Sequence, residues 1–291
     1  MTTLKVLRNR KISVQSTQKI TIAMKMVAGA KLRRAQAQVE AGRPYAHLMQ
    51  QILSDLAAHV TTLESPQPLL TGTGKAKTHL ILVATSDRGL CGSFNSSLIK
   101  QAKKTIEACQ SNGQTVKLFC IGQKGKAMLE KDYGSLIVES VSGIGYPRLY
   151  FSDAQGIANT LLTLFKDDSF DVCTLIYNHF KSALSQDVIA QQIIPLQAAS
   201  PSSEIQAIYD YEPDEETILN QLLPQNIAVQ IYNALLENAA SEEGARMTAM
   251  ESASRNAEDM IRKLTLTYNR TRQAHITREL IEIISGAEAL G

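Results

Sequence analysis

Apolar residues recur every seven positions along the first forty residues, and that period defines the first element. Leu7, Val14, Thr21, Ala28 and Ala35 form one seam, and Leu4, Lys11, Gln18, Lys25, Leu32 and Val39 form its companion. A heptad repeat predicts a helix that pairs along its a and d positions. The companion seam is polar through its middle, so its ends suit helix pairing and its centre suits polar partners. Beyond Gly42 and Pro44 the pattern resumes with Leu48, Ile52, Leu53 and Leu56. Residues 1–60 therefore read as one long helix with a bend near the proline. A second long helix is expected over 213–291, opened by Pro213 with Asp214, Glu215 and Glu216 in its positive first turn. Pro224 should kink it, and Met250, Ala253, Ala257, Met260 and Leu264 alternate three and four apart as its seam.

Between these helices the period changes. Residues 61–77, containing Pro66, Pro68, Gly72 and Gly74, read as a linker. Thr78–Thr85 is a nearly continuous apolar run that suits a buried parallel strand. Strands over 115–121, 135–140, 171–178 and 188–196 alternate with helices over 96–110, 125–131 and 153–165. That alternation predicts a doubly wound, Rossmann-like domain over 78–196, followed by a polar connector over 197–212. The fold class is α/β, with long N- and C-terminal helices flanking this central domain. Helices of that length, at ~1.5 Å per residue, outreach such a domain. They must pair with each other or lie in a groove on another protein.

Charge sharpens this picture. Residues 1–39 carry nine Lys and Arg and no acid, whereas residues 182–245 carry ten acids and no Lys or Arg. Trp is absent and aromatics make up 5%, which suits Ala/Leu/Met helical packing more than a large core. The four cysteines, Cys91, Cys109, Cys120 and Cys173, have no C-x-x-C spacing and no His cluster, so they read as reduced core thiols. No run approaches ~18 uninterrupted apolar residues, so no membrane span is expected. The basic N-terminus resembles a transit peptide in composition, but its pattern runs unbroken to about residue 60 and reads as mature structure.

Two glycine-bearing segments invite a ligand. Gly72-Thr73-Gly74-Lys75 lacks the phosphate-loop pattern, because Leu69 and Ala76 fill two of its key positions and the strand follows instead of leading in. Ser86-Asp87-Arg88-Gly89-Leu90-Cys91-Gly92 lies just after the first strand, where α/β folds bind ligands. It does not match G-x-G-x-x-G, and tight-turn chemistry accounts for its glycines. The basic first helix could attract nucleic acid or anionic lipid, but Met24 and Met26 flanking Lys25 suit a surface read by protein walls. No catalytic, cofactor-binding or metal-ligating set emerges.

Four motifs are familiar together. Ser13-Val14-Gln15-x-Thr17-Gln18-Lys19-Ile20-Thr21-x-Ala23-Met24-Lys25-Met26-Val27-Ala28 resembles the N-terminal signature of the gamma subunit of F-type ATP synthases. Thr85-Ser86-Asp87-Arg88-Gly89-Leu90-Cys91-Gly92-Ser93-Phe94-Asn95 is similar to that family's middle-domain signature. Glu237-Asn238-x-x-Ser241-Glu242-x-x-x-Arg246-Met247-x-Ala249-Met250 and Tyr268-Asn269-x-x-Arg272-Gln273-x-x-Ile276-Thr277-x-Glu279-Leu280 are similar to its C-terminal ones. The resemblance spans essentially the whole chain.

The resemblance implies a non-catalytic rotor shaft without a cofactor, its terminal helices forming an antiparallel coiled coil, one copy per complex, that couples proton flow through the membrane c-ring to ATP synthesis or hydrolysis. Its partners would be three alpha and three beta subunits, the epsilon subunit and the c-ring, with no nucleic acid and with membrane contact made through the complex. Carried over by motif position, Met24, Lys25, Arg246, Gln273, Thr277 and Glu279 would contact the alpha and beta subunits. Tyr209, Tyr211, Glu212 and Asp214 would form the foot toward the c-ring and epsilon. The cytoplasmic face of a bacterial inner membrane is the expected location. Ile22 stands where many relatives carry a basic residue, and His275 where small residues are common. The cysteine-bearing insertion of the chloroplast type is absent, so no thiol switch is expected.

Overall fold

The computed structural model describes residues 4–59, 67–145, 148–196 and 215–288. In chain order the elements are α1 (Leu4–His59), α2 (Pro68–Thr71), β1 (Thr78–Ala84), α3 (Phe94–Ser111), β2 (Thr115–Ile121) and α4 (Gln123–Tyr133). After a 3-10 turn follow β3 (Ile137–Val141), α5 (Phe151–Lys166), β4 (Val172–Phe180), β5 (Gln186–Ile194) and α6 (Glu215–Glu288). The chain divides into two compact units, Met1–Ala28 with Arg246–Gly291, and Gly29–Ala245. Pro44 and Pro224 both lie inside continuous helices.

In the larger unit a five-stranded sheet runs in the order β3-β2-β1-β4-β5. The pairs β1–β2, β1–β4 and β2–β3 are parallel. Strand β5 departs from the doubly wound expectation by running antiparallel to β4. The short segment 181–185 joins the two, and a parallel crossover needs a dozen residues or more. Because β2 and β3 lie on one side of β1 and β4 on the other, right-handed crossovers put α3 and α4 on one face and α5 on the other.

Period-two alternation in the strands sorts the core by face. Ile81, Val83, Leu118, Cys120 and Ile176 pack with Phe94, Leu98, Ile99, Ala102 and Ile106 of α3 and with Leu129 of α4. Leu80, Leu82 and Phe119 are fully buried on the opposite face. In α5 the buried residues Ala154, Ile157, Ala158, Leu161 and Phe165 recur at helical spacing.

The expected linker is partly structured. Residues 68–71 form a helical turn, Leu69 and Leu70 pack against Met49, Leu219 and Leu223, and the Leu196 N–H donates to the Leu69 carbonyl at 2.8 Å. Thr73 Oγ1 and the N–H groups of Lys77 and Thr78 all donate to the Asp171 carboxylate at 2.8–3.0 Å. Burial pushes the Asp171 pKa up, but these hydrogen bonds outweigh it and hold the carboxyl below its ordinary value. In the same unit α1 and α6 run antiparallel, with Lys31 beside Glu243 at 3.6 Å and Gly42 against Asn233 and Leu236.

In the smaller unit, α1 keeps both seams. Leu7, Thr21 and Ala28 are buried, and Leu4, Lys11, Val14, Gln18 and Lys25 are half-buried. Along α6 the seam is Met250, Ala253, Ala257, Ile261, Leu264, Tyr268 and Thr271. Met260, expected in it, is 43% exposed and the adjacent Ile261 takes its place. A 3.6-residue period drifts against a strict heptad, so a one-residue shift over three turns is unsurprising.

Candidate functional site

Polar residues on the paired helices are the first candidates. In the smaller unit Lys25 forms an ion pair with Glu251, and Arg255 Nε lies 3.2 Å from the same carboxylate. Hydrogen bonds from Lys25 and then from Arg255 hold the Glu251 carboxyl below its ordinary value. Arg246 is buried and engaged within the chain, and Met24 is half-buried. Lys25 therefore sits at the helix pairing, with Met24 next to it in the chain, and Arg246 is buried.

Gln273, Thr277 and Glu279 lie elsewhere. Antiparallel register from the Lys25–Glu251 pair brings the start of α1 opposite Thr271 and Arg272. Thr271 is the last residue of α6 that is not exposed, among the described residues. From Arg272 through Ala287 every position is exposed, including Ile276, Leu280, Ile281, Ile283 and Ile284. On the tail, His275 Nδ1 lies 3.1 Å from the Glu279 carboxylate along the same helix. Tyr209, Tyr211, Glu212 and Asp214 lie outside the described residues.

The loop after β1 is built to hold itself. Asp87 accepts the Gln123 N–H at 2.9 Å on Oδ1 and the Gly143 N–H at 2.8 Å on Oδ2. Gln123 is the first residue of α4, so the chain's own carboxylate sits where a helix N-terminus attracts an anion. Asn95 accepts the Ser86 N–H at 3.0 Å and donates to Ser86 Oγ at 2.8 Å. The Gly125 N–H donates to Thr85 Oγ1 at 2.9 Å. Gly122, at φ +93°, passes so close that a Cβ there would lie 2.3 Å from the Thr85 carbonyl oxygen. The middle signature thus ties the ends of β1, β2 and β3 together.

A second polar cluster gives roles to residues of the third signature that sequence reasoning left without one. The Asn178 N–H donates to Asn238 Oδ1 at 3.1 Å, and Ser241 Oγ donates to the Asn178 carbonyl at 3.2 Å. Glu237 pairs with His179 Nδ1. Burial, and then the Glu237 charge, push the Tyr177 phenol up to about 12. A signal was present: Glu237, Asn238 and Ser241 share one helical face. Their partners on β4 were not legible without the fold.

The profile of the ATP synthase family matches residues 3–290. The ATP synthase gamma chain of Chelativorans sp. (strain BNC1) is 54% identical over 293 residues, covering the whole of both chains. That of Rhodospirillum rubrum is 50% identical over 299 residues, again over the full length of both. This chain belongs to the ATP synthase gamma-chain family. Among solved structures, a chain from the central stalk and c-ring of Tetrahymena thermophila mitochondrial ATP synthase matches with a TM-score of 0.63 and 32% identity. The match covers 81% of this chain and 99% of that one.

Against this family background the thiols are core groups. Cys91, Cys109, Cys120 and Cys173 are all buried. Burial raises the thiol of Cys109, that of Cys120 to about 11 despite the opposing charge of Lys126, and that of Cys173 further still. Thiolates, the reactive form, are disfavoured at these three sites. Cys109 Sγ lies 3.4 Å from Nδ1 of His79, whose pKa burial lowers, so that imidazole favours its neutral form. Among the described residues no group of three or more His, Cys, Asp or Glu could hold a metal, and no helix is long and apolar enough to cross a membrane.

Proposed function

We propose that this gamma chain is the central shaft of an F-type ATP synthase, one copy per three alpha and three beta subunits. In this reading its foot meets the epsilon subunit and the membrane c-ring. Proton flow turns the c-ring and the shaft with it at the cytoplasmic face of a bacterial inner membrane. The chain does no chemistry of its own. An asymmetric shaft within a pseudo-threefold ring touches each beta subunit differently and favours a different conformation in each. Turning it permutes those preferences, so the coupling free energy lies in differential contacts.

The observation that carries the reading is the α6 tail beyond Thr271, where, among the described residues, exposed isoleucines and leucines line one side of a helix that α1 no longer covers. A helix without a partner is marginal in water, and apolar residues over its surface mark an interaction site. A surrounding protein sleeve supplies what α1 no longer does. Gln273, Thr277 and Glu279 are then the polar contacts offered to the sleeve. Lys25 acts chiefly by fixing how the two helices lie together.

The test is co-purification from native membranes through a tag on this chain, with subunit stoichiometry and ATPase activity measured on the product. One copy per three alpha and three beta subunits is expected, with proton pumping per ATP reduced in Gln273→Ala combined with Thr277→Ala. Recovery of a monomer or homodimer lacking alpha and beta subunits would overturn the reading.

A further inference from the structure

We propose that Glu237, Asn238 and Ser241 form the joint by which the α/β domain grips α6 and passes torque to it, which makes them positioning residues for rotary coupling. The proposal rests on the shaft reading above.

The ladder between β1 and β4 ends at Val83 opposite Ile176, while β4 continues to Phe180 paired with β5. Asn178, two residues beyond Ile176, turns its N–H and carbonyl toward the side that β1 has vacated. There Asn238 and Ser241 satisfy both groups, so side chains of a helix replace a missing strand. Asn178, Asn238 and Ser241 are 2%, 5% and 0% exposed. Buried backbone groups must be paired, and stripping their partners costs more than the net value of an ordinary hydrogen bond.

One residue on, His179 binds Glu237. Two turns along α6 from Glu237, Gly244 lies so close to the β4–β5 hairpin that a Cβ there would sit 3.3 Å from Ala183 Cα. Apolar faces adhere, but they can slide from one ridge to the next. Directional bonds to one particular peptide group cannot slide without breaking. A twist applied to the domain therefore reaches α6 in fixed register.

The experiment uses the whole complex reconstituted into vesicles, comparing wild type with Ser241→Ala, Asn238→Leu and the double variant. Protons pumped per ATP hydrolysed are measured alongside amide exchange over residues 177–180 on the same preparations. We expect the double variant to assemble, to hydrolyse ATP within about twofold of wild type, and to lose about fivefold or more in protons per ATP. Protection of the Asn178 amide falls with it, and the single variants lie between. Lost protection with unchanged pumping, or lost pumping with intact protection, would overturn the joint. If the double variant fails to assemble, Ser241→Ala, which removes one hydroxyl, is judged on the same two readouts. A wild-type preparation lacking alpha and beta subunits refutes the shaft reading instead, and is distinguishable by its composition.

Discussion

The two compact units use their apolar residues in opposite ways. In the larger one, every residue from Leu80 to Ala84 is fully buried and helices cover the strands. In the smaller one, the buried seam is thin and includes Thr21 and Arg246, while Val6, Ile12, Ile20, Met26, Val27 and Leu266 are more than half exposed. A sheet domain encloses its apolar surface by folding, whereas two helices bury one stripe each and leave the rest outward. The larger unit holds an enclosed core, and the smaller buries a single stripe.

That contrast can be broken at Leu82, fully buried in β1. Leu82→Ala should destabilise the larger unit by about 2–5 kcal/mol, the range for a core truncation that leaves a cavity. Hydrogen exchange of the β1 and β4 amides reads the loss, and unchanged protection would mean the sheet is not closed as described.

A smaller, pH-dependent effect is expected at Asp171. Its folded pKa lies below its ordinary value, so its contribution is full above the unfolded pKa and is lost as pH falls through the folded one. Asp171→Asn should therefore lower the urea midpoint of the larger unit at neutral pH, and the gap from wild type should narrow in acid. A gap independent of pH would remove the charge from the explanation.

The smallest effect belongs to the tail. Leu280, 53% exposed, has no core to leave, so Leu280→Ala should change the stability of the isolated chain by no more than about 0.5 kcal/mol. A loss on the scale of Leu82→Ala would show that the tail is buried by the chain itself and would erase the contrast between the units.

The signature motifs turn out to divide between inward and outward roles. Ser86 and Asn95 bond to each other, and Thr85 and Asp87 accept N–H groups from the first turn of α4. Glu237, Asn238 and Ser241 bond to β4. Gln273, Thr277 and Glu279 stand on the exposed tail. Motif position alone grouped Arg246 with that last set, and the fold buries it. Sequence marks a residue as part of a pattern, but whether its side chain faces a partner or its own backbone depends on what folds against it.

The sequence by itself determined the long helices at both ends, the heptad seams of α1 and the alternation of strands and helices between them, because these depend on local periods of seven, two and 3.6 residues. Tertiary structure decided the antiparallel course of β5, the exchange of Met260 for Ile261 in the α6 seam and the use of Asp87 as the chain's own anion. It also decided the bonding of α6 to Asn178. Each of these joins residues far apart in the chain, and the spacing of residues along a sequence carries no record of which backbone group a distant side chain will reach.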